Sequence, residues 1–179
     1  MKKIIVATAI ATLLGTSAYA EQGSLSGMQI GYSSNTTSST ALEDHTAGGI
    51  YMGYDFIAML TSLPGFGAGL GGDFNVWQGP GSSGIADDTA SIYTFGVMAK
   101  VGYTLENSFN IPLRLKAGVG YGALSLPAAA EWGMQYDASA EYMIFKKYGL
   151  GVKYKHAEAD ILGTNFSTNS TIGYLSFGF

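Results

Sequence analysis

From Tyr93 to Tyr103 the odd positions read Tyr93, Phe95, Val97, Ala99, Val101 and Tyr103, and the one charge, Lys100, falls between them. An extended chain sends successive side chains to opposite faces. Such a segment therefore has one apolar face and one face of small, polar or charged residues. The pattern recurs. Phe66, Ala68, Leu70, Gly72, Phe74 and Val76 alternate with Gly67, Gly69, Gly71, Asp73 and Asn75. Leu113, Leu115, Ala117, Val119 and Tyr121 alternate with Arg114, Lys116, Gly118 and Gly120. Trp132, Met134, Tyr136, Ala138, Ala140, Tyr142 and Ile144 enclose Gln135, Asp137, Ser139 and Glu141.

Eight strands are predicted on this basis: Gly27–Ser33, Thr46–Ile57, Phe66–Gln78, Thr89–Tyr103, Pro112–Ala123, Trp132–Phe145, Leu150–Ala157 and Asn169–Phe179. The compact links Ala58–Gly65, Thr104–Ile111 and Lys146–Gly149 alternate with Ser34–His45, Gly79–Asp88, Leu124–Glu131 and Glu158–Thr168, which are rich in Ser, Thr, Asn, Gly or acid. Short turns at one end and longer loops at the other are the expectation.

Charge decides which face meets what. The chain is 47% hydrophobic and only 12% charged, yet no later stretch approaches the 18 consecutive apolar residues of a spanning helix. The other structure that can satisfy its backbone in lipid is a closed barrel. Asp55, Asp73, Lys100, Arg114, Lys116, Asp137, Glu141, Lys153 and Lys155 all take the non-apolar parity. A lone Lys or Arg facing mid-bilayer hydrocarbon costs about 2–4 kcal/mol, so the charged parity is expected inside. The reverse, a soluble barrel with its apolar face inward, would put glycines on the solvent face.

Eight strands enclose a space just wide enough for side chains to fill. Both signs are present, so a plugging charge network of these nine residues is expected, with Gly67, Gly69, Gly71, Gly118, Gly120 and Gly122 leaving room for long basic side chains and Trp77. Adjacent strands should set Arg114 and Lys116 beside Asp137 and Glu141, and Asp73 beside Lys100. Two aromatic belts are expected outside: Tyr32, Phe74, Tyr93, Tyr121, Trp132 and Tyr154 toward the long loops; Tyr54, Phe56, Phe66, Tyr103, Tyr142 and Phe177 toward the short turns.

The N-terminus points to export. Lys2 and Lys3 precede an apolar run, Ile4 to Leu14, and Ala18-Tyr19-Ala20 offers small residues to signal peptidase. Residues 1–20 are expected to be a cleaved signal peptide and residues 21–179 the barrel domain. The chain has no cysteine, so no disulfide can brace it.

The size, the alternation and the terminal strand Thr171–Phe179 resemble the small eight-stranded bacterial outer-membrane barrels, the family of the OmpA transmembrane domain, OmpX and opacity-type adhesins. Leu175, Phe177 and Phe179 resemble that family's assembly signal, with Tyr174 where Gly often stands and Gly173 displaced by one. The resemblance implies an all-β, antiparallel up-and-down transmembrane barrel in the outer membrane. It implies contact with outer-membrane lipid and lipopolysaccharide, delivery by the barrel-assembly machinery, and an extracellular partner met through the loops. No peptidoglycan-binding domain is expected beyond Phe179.

Candidate chemistry is thin. Lipid A deacylases of similar size use a His-x-Ser motif, and His156-Ala157-Glu158 lacks the Ser. A palmitoyl-transferase reading could draw on His45, Asp87 and Ser91, but that chemistry needs an apolar lumen for an acyl chain. His45 and His156 are expected as solvated loop-edge residues. Gly67-Ala-Gly69-Leu-Gly71-Gly72 matches a dinucleotide-binding pattern in letters only, because strand alternation runs straight through it. Glu43-Asp44-His45 and Asp87-Asp88 lack calcium-loop spacing. No catalytic residue, metal or cofactor is assigned. The loop segments and their edges hold Glu43, Asp44, Asp87, Asp88, Glu131, Glu158 and Asp160 and no Lys or Arg, which disfavours nucleic acid. The leading expectation is a non-catalytic barrel with a structural or surface-interaction role. The alternatives are a narrow pore for ions or small solutes and, last, a lipid A-modifying enzyme.

Overall fold

The structure is a computed structural model and describes residues 25–39, 44–80, 89–126, 129–145 and 147–178. The predicted signal peptide and Glu43, Asp87, Asp88, Lys146 and Phe179 lie outside the described residues.

Alternation produces eight strands: β1 (Gly27–Ser39), β2 (His45–Met59), β3 (Phe66–Pro80), β4 (Thr89–Thr104), β5 (Leu113–Leu126), β6 (Ala129–Phe145), β7 (Tyr148–Ile161) and β8 (Thr164–Gly178), with one short helical turn α1 (Glu106–Phe109) between β4 and β5. Each strand pairs antiparallel with its neighbours in sequence, and β8 returns to β1, so the sheet closes with no free edge.

Closure fixes relative heights. From Gly27, pairing leads through Asp55, Gly71, Met98, Gly120, Gln135, Ala157 and Thr168 and returns to β1 at Thr37, 37 − 27 = 10 residues farther along. Each step to the next strand therefore climbs ten eighths of a residue. Residues far apart in sequence can be placed on one level by this rule. The proximal end is defined here as the one holding Gly27 and Gly178, the distal end as the opposite one.

The strands run past their expected distal limits. β1 continues to Ser39, β5 to Leu126, and β7 and β8 meet at a two-residue turn, Leu162–Gly163. Both turn residues have positive φ, 54° and 80°. That is the backbone of the tight turn that matches strand twist, more usually built from Asn-Gly. The expected Glu158–Thr168 loop is thus mostly ladder. His156, expected at a loop edge, lies within β7, with its side chain 15% exposed.

The alternation reads directly as burial. Tyr32, Ile50, Val97, Val101, Tyr121, Trp132 and Val152 are among the exposed outward residues, whereas inward Lys100, Asp137 and Lys155 are buried. An apolar exterior around a polar interior inverts the order of a water-soluble protein and suits a bilayer. Outward aromatics pair across strands: Phe66 with Tyr103 (ring centroids 4.5 Å), Phe74 with Tyr93 (6.1 Å), and Tyr121 with Trp132 (6.2 Å). Such pairs add about 0.5–1.5 kcal/mol beyond area burial.

Candidate functional site in the barrel lumen

Three layers fill the lumen. At the proximal mouth the chain entering β1 tucks under the barrel. The Leu25 N–H donates to the Ile57 carbonyl at 3.1 Å, and the Ile57 N–H donates to the Ser26 hydroxyl at 3.0 Å. Leu25 and Ile57 are buried there. At the distal end Trp77, Ile92, Leu124, Ala159 and Ile161 form an apolar cluster.

Between these lie the charges. Lys116 is held between Glu141 (3.0 Å) and Asp55 (3.2 Å). Lys100 pairs with Asp137 and stands 3.6 Å from Asp55. Lys153 donates to Gln29 Oε1 at 2.7 Å and to the Tyr51 hydroxyl, and lies 3.7 Å from Asp137. Its ammonium also sits 4.7 Å from the centre of the Tyr51 ring and 5.7 Å from that of Tyr174. The Tyr51 hydroxyl donates to Gln29 Oε1 at 3.0 Å, and the Gln29 amide donates to Asp55 at 2.7 Å. Lys155 pairs with Asp73 and donates to Thr94 at 3.2 Å. Arg114 is looser, 3.9 Å from Glu141 with 13% of its side chain exposed, and Ser176 donates to Glu141 at 2.8 Å. Toward the distal layer, Ser33 donates to Asn75 and Asn75 donates to Asn35, at 2.7 and 2.6 Å.

Shared parity and closure bring these groups together, because inward residues of nonadjacent strands meet across so narrow a space. Desolvating each ion costs several kcal/mol, and only pairing and further hydrogen bonds offset it. Glycine supplies the clearance. A Cβ on Gly71 would meet Lys100 Cε at 2.7 Å, and one on Gly118 would meet Lys100 Cδ at 2.7 Å.

All nine charged residues singled out in the sequence face the lumen. Arg114 is directly opposite Glu141 in the register. The expected Asp73–Lys100 neighbourhood is corrected: Asp73 stands opposite Gly96 and Lys100 opposite Gly69, so Asp73 takes Lys155 from across the barrel and Lys100 takes Asp137 and Asp55. Gln29, Tyr51, Thr94 and Ser176 were not singled out, and Tyr174 was named only as a departure from the family's terminal pattern. Their inward parity was the available signal, since Gln29 and Tyr51 each sit between two outward apolar residues. Of the assembly residues, Leu175 is 52% exposed on the outer face, and Phe177 packs edge-on against Tyr148 at 5.9 Å. His45 opens β2, whereas Ser91 faces outward on β4 with β3 between them. His156 faces outward, stacked on Tyr136 at 4.7 Å.

No protein-family model matches the chain, and no curated protein matches it in sequence. Solved structures do match in fold. The Neisserial surface protein A (NspA) superposes with TM-score 0.60 at 9% identity, over 88% of this chain and 100% of that one. Ail, the attachment invasion locus protein of Yersinia pestis, gives 0.54 at 14%, over 85% and 97%. Ail solved in complex with the heparin analogue sucrose octasulfate gives 0.54 at 12%, over 87% and 100%. The chain has the eight-stranded, antiparallel transmembrane barrel fold of these small outer-membrane proteins.

Proposed function

We propose that this chain is a closed, non-catalytic barrel of the bacterial outer membrane, with a lumen plugged by paired charges and a structural or surface-interaction role at its distal end. The observation that carries the reading is the interlocked set around Lys100, Lys116, Lys153 and Lys155, whose ammonium groups each meet a carboxylate among buried polar neighbours. The apolar layer around Trp77 adds a second seal, because a dry apolar constriction resists ion entry. In this reading residues 1–20 direct export, the barrel-assembly machinery recognises the sequence that carries Leu175, Phe177 and Phe179, and the distal end faces outward.

Ail binds a heparin analogue in one solved complex. A polyanion is a poor partner for this chain. Asp44, Glu131, Glu158 and Asp160 are exposed toward the distal end, and the four distal link segments contain no Lys or Arg. A partner there would be neutral or cationic, or would reach lipopolysaccharide phosphates through divalent cations.

The separation of His45 from Ser91 and the charged lumen speak against lipid modification. The test is to reconstitute the mature chain with lipopolysaccharide and phospholipid and to follow lipid mass and osmotic swelling in small sugars. Unchanged lipid masses and no swelling are expected. An acyl chain lost or gained would return the enzyme reading, and swelling would return the pore.

A further inference from the structure

The geometry points to a lopsided membrane belt: the wall formed by β7, β8 and β1 meets lipid headgroups and their water at a level where the opposite wall meets hydrocarbon. The register places outward residues on common levels. One circuit, within two residues' rise, holds Ile50, Phe74, Phe95, Tyr121 and Tyr136 on β2 to β6, each 40–60% exposed. On β7, β8 and β1 the same circuit holds His156, Thr171 and Ser34. The next circuit toward the distal end repeats the contrast, with Val76, Tyr93 and Met134 against Glu158, Asn169 and Thr36. Two circuits span four residues of tilted strand, roughly 10 Å along the barrel axis.

The polar sector is a built surface. Asn169 Oδ1 accepts from the Tyr154 hydroxyl at 2.6 Å and lies 2.8 Å from His156 Nδ1. His156 Nε2 is 3.8 Å from Glu158, whose side chain is 49% exposed. Hydrocarbon can solvate neither that carboxylate nor the exposed Thr171 hydroxyl. A second copy fits poorly, because two such sectors would bring Glu158 against Glu158 with no Lys or Arg among the described outward residues nearby. Headgroups and water supply the missing partners. A bilayer meets a short apolar stretch by thinning locally or by letting the protein tilt.

The inference rests on the transmembrane fold and is independent of whether the lumen conducts. Because the chain has no cysteine, single thiols report depth cleanly. Thr171→Cys and Ser34→Cys probe the polar wall. Phe95→Cys probes the opposite wall, about one residue farther toward the distal end than Thr171. The mature chain is reconstituted in phosphatidylethanolamine–phosphatidylglycerol vesicles, with a charged, impermeant maleimide introduced on both sides by freeze–thaw. A heat-dependent gel shift verifies that each variant is folded. Thr171→Cys and Ser34→Cys should react at least roughly tenfold faster than Phe95→Cys, since the reactive thiolate forms only where water reaches it. All three should react alike once the chain is unfolded. Equal protection of the three in folded protein would overturn the inference, as would equal reactivity.

Discussion

Lys100 on β4 pairs with Asp137 on β6 by passing over Gly118 of the strand between them. The ion pair and the glycine form one unit: the pair spans two strands because the middle strand offers no side chain at that level. Gly118→Val should therefore displace Lys100 and destabilise the barrel by about 1–3 kcal/mol, the range for overpacking. Gly173, on the outer face, has nothing within 4 Å of a built Cβ. Gly173→Val should change stability by no more than about 0.5 kcal/mol. Urea midpoints followed by the gel shift of folded against boiled protein compare the two variants.

Lys155 and Asp73 form a buried pair across the lumen from β7 to β3. Lys155→Met or Asp73→Leu alone strands one charge and should cost about 3–5 kcal/mol. The double variant should cost clearly less than the two summed. A double-mutant cycle of unfolding free energies checks this, and strict additivity would show that the two groups do not interact.

The eight strands and their faces were legible in the sequence because the side-chain period is two and charge tolerates only one face of a membrane barrel. The charge partners were less legible. Asp73 and Lys100 share a hairpin, but their register sets them apart, and the cross-lumen partner of Asp73 comes from closure, which no local pattern encodes. Trp77 was expected inside, but the rest of the distal layer was hidden for another reason: Ile92, Leu124 and Ile161 are apolar at inward positions, against the rule that apolar means outward. The β7–β8 turn was hidden because Leu162 occupies a position that usually signals itself with Asn.

Leu162 supplies its own test. It is held at φ 54° and is 84% exposed, so its side chain contributes little packing. Leu162→Asn, which tolerates the left-handed region, should stabilise the barrel by about 0.5–1 kcal/mol. The urea midpoint should rise with no change in slope.

Leu175 and Phe177 lie on the outer side of β8, and Phe179 follows it in the sequence. Replacing both phenylalanines with Asp puts charge on the outer side at position 177, where lipid must be entered, and removes the aromatic at position 179. Outer-membrane levels of the double variant should fall to a small fraction of the parent's, with the remainder degraded or periplasmic. Fractionation and immunoblotting give the readout, and parent-like levels would remove these residues from the assembly signal.

The plugged lumen is tested most directly by planar-bilayer recording of the folded mature chain in concentrated KCl. In the proposed reading, the ion pairs bridging β2, β4, β5, β6 and β7, backed by the apolar layer around Trp77, leave ions no hydrated path. The recording should stay at the baseline of the protein-free membrane across the applied voltages. Reproducible ohmic steps from protein verified as folded by its gel shift would contradict the closed lumen and make the chain a narrow pore.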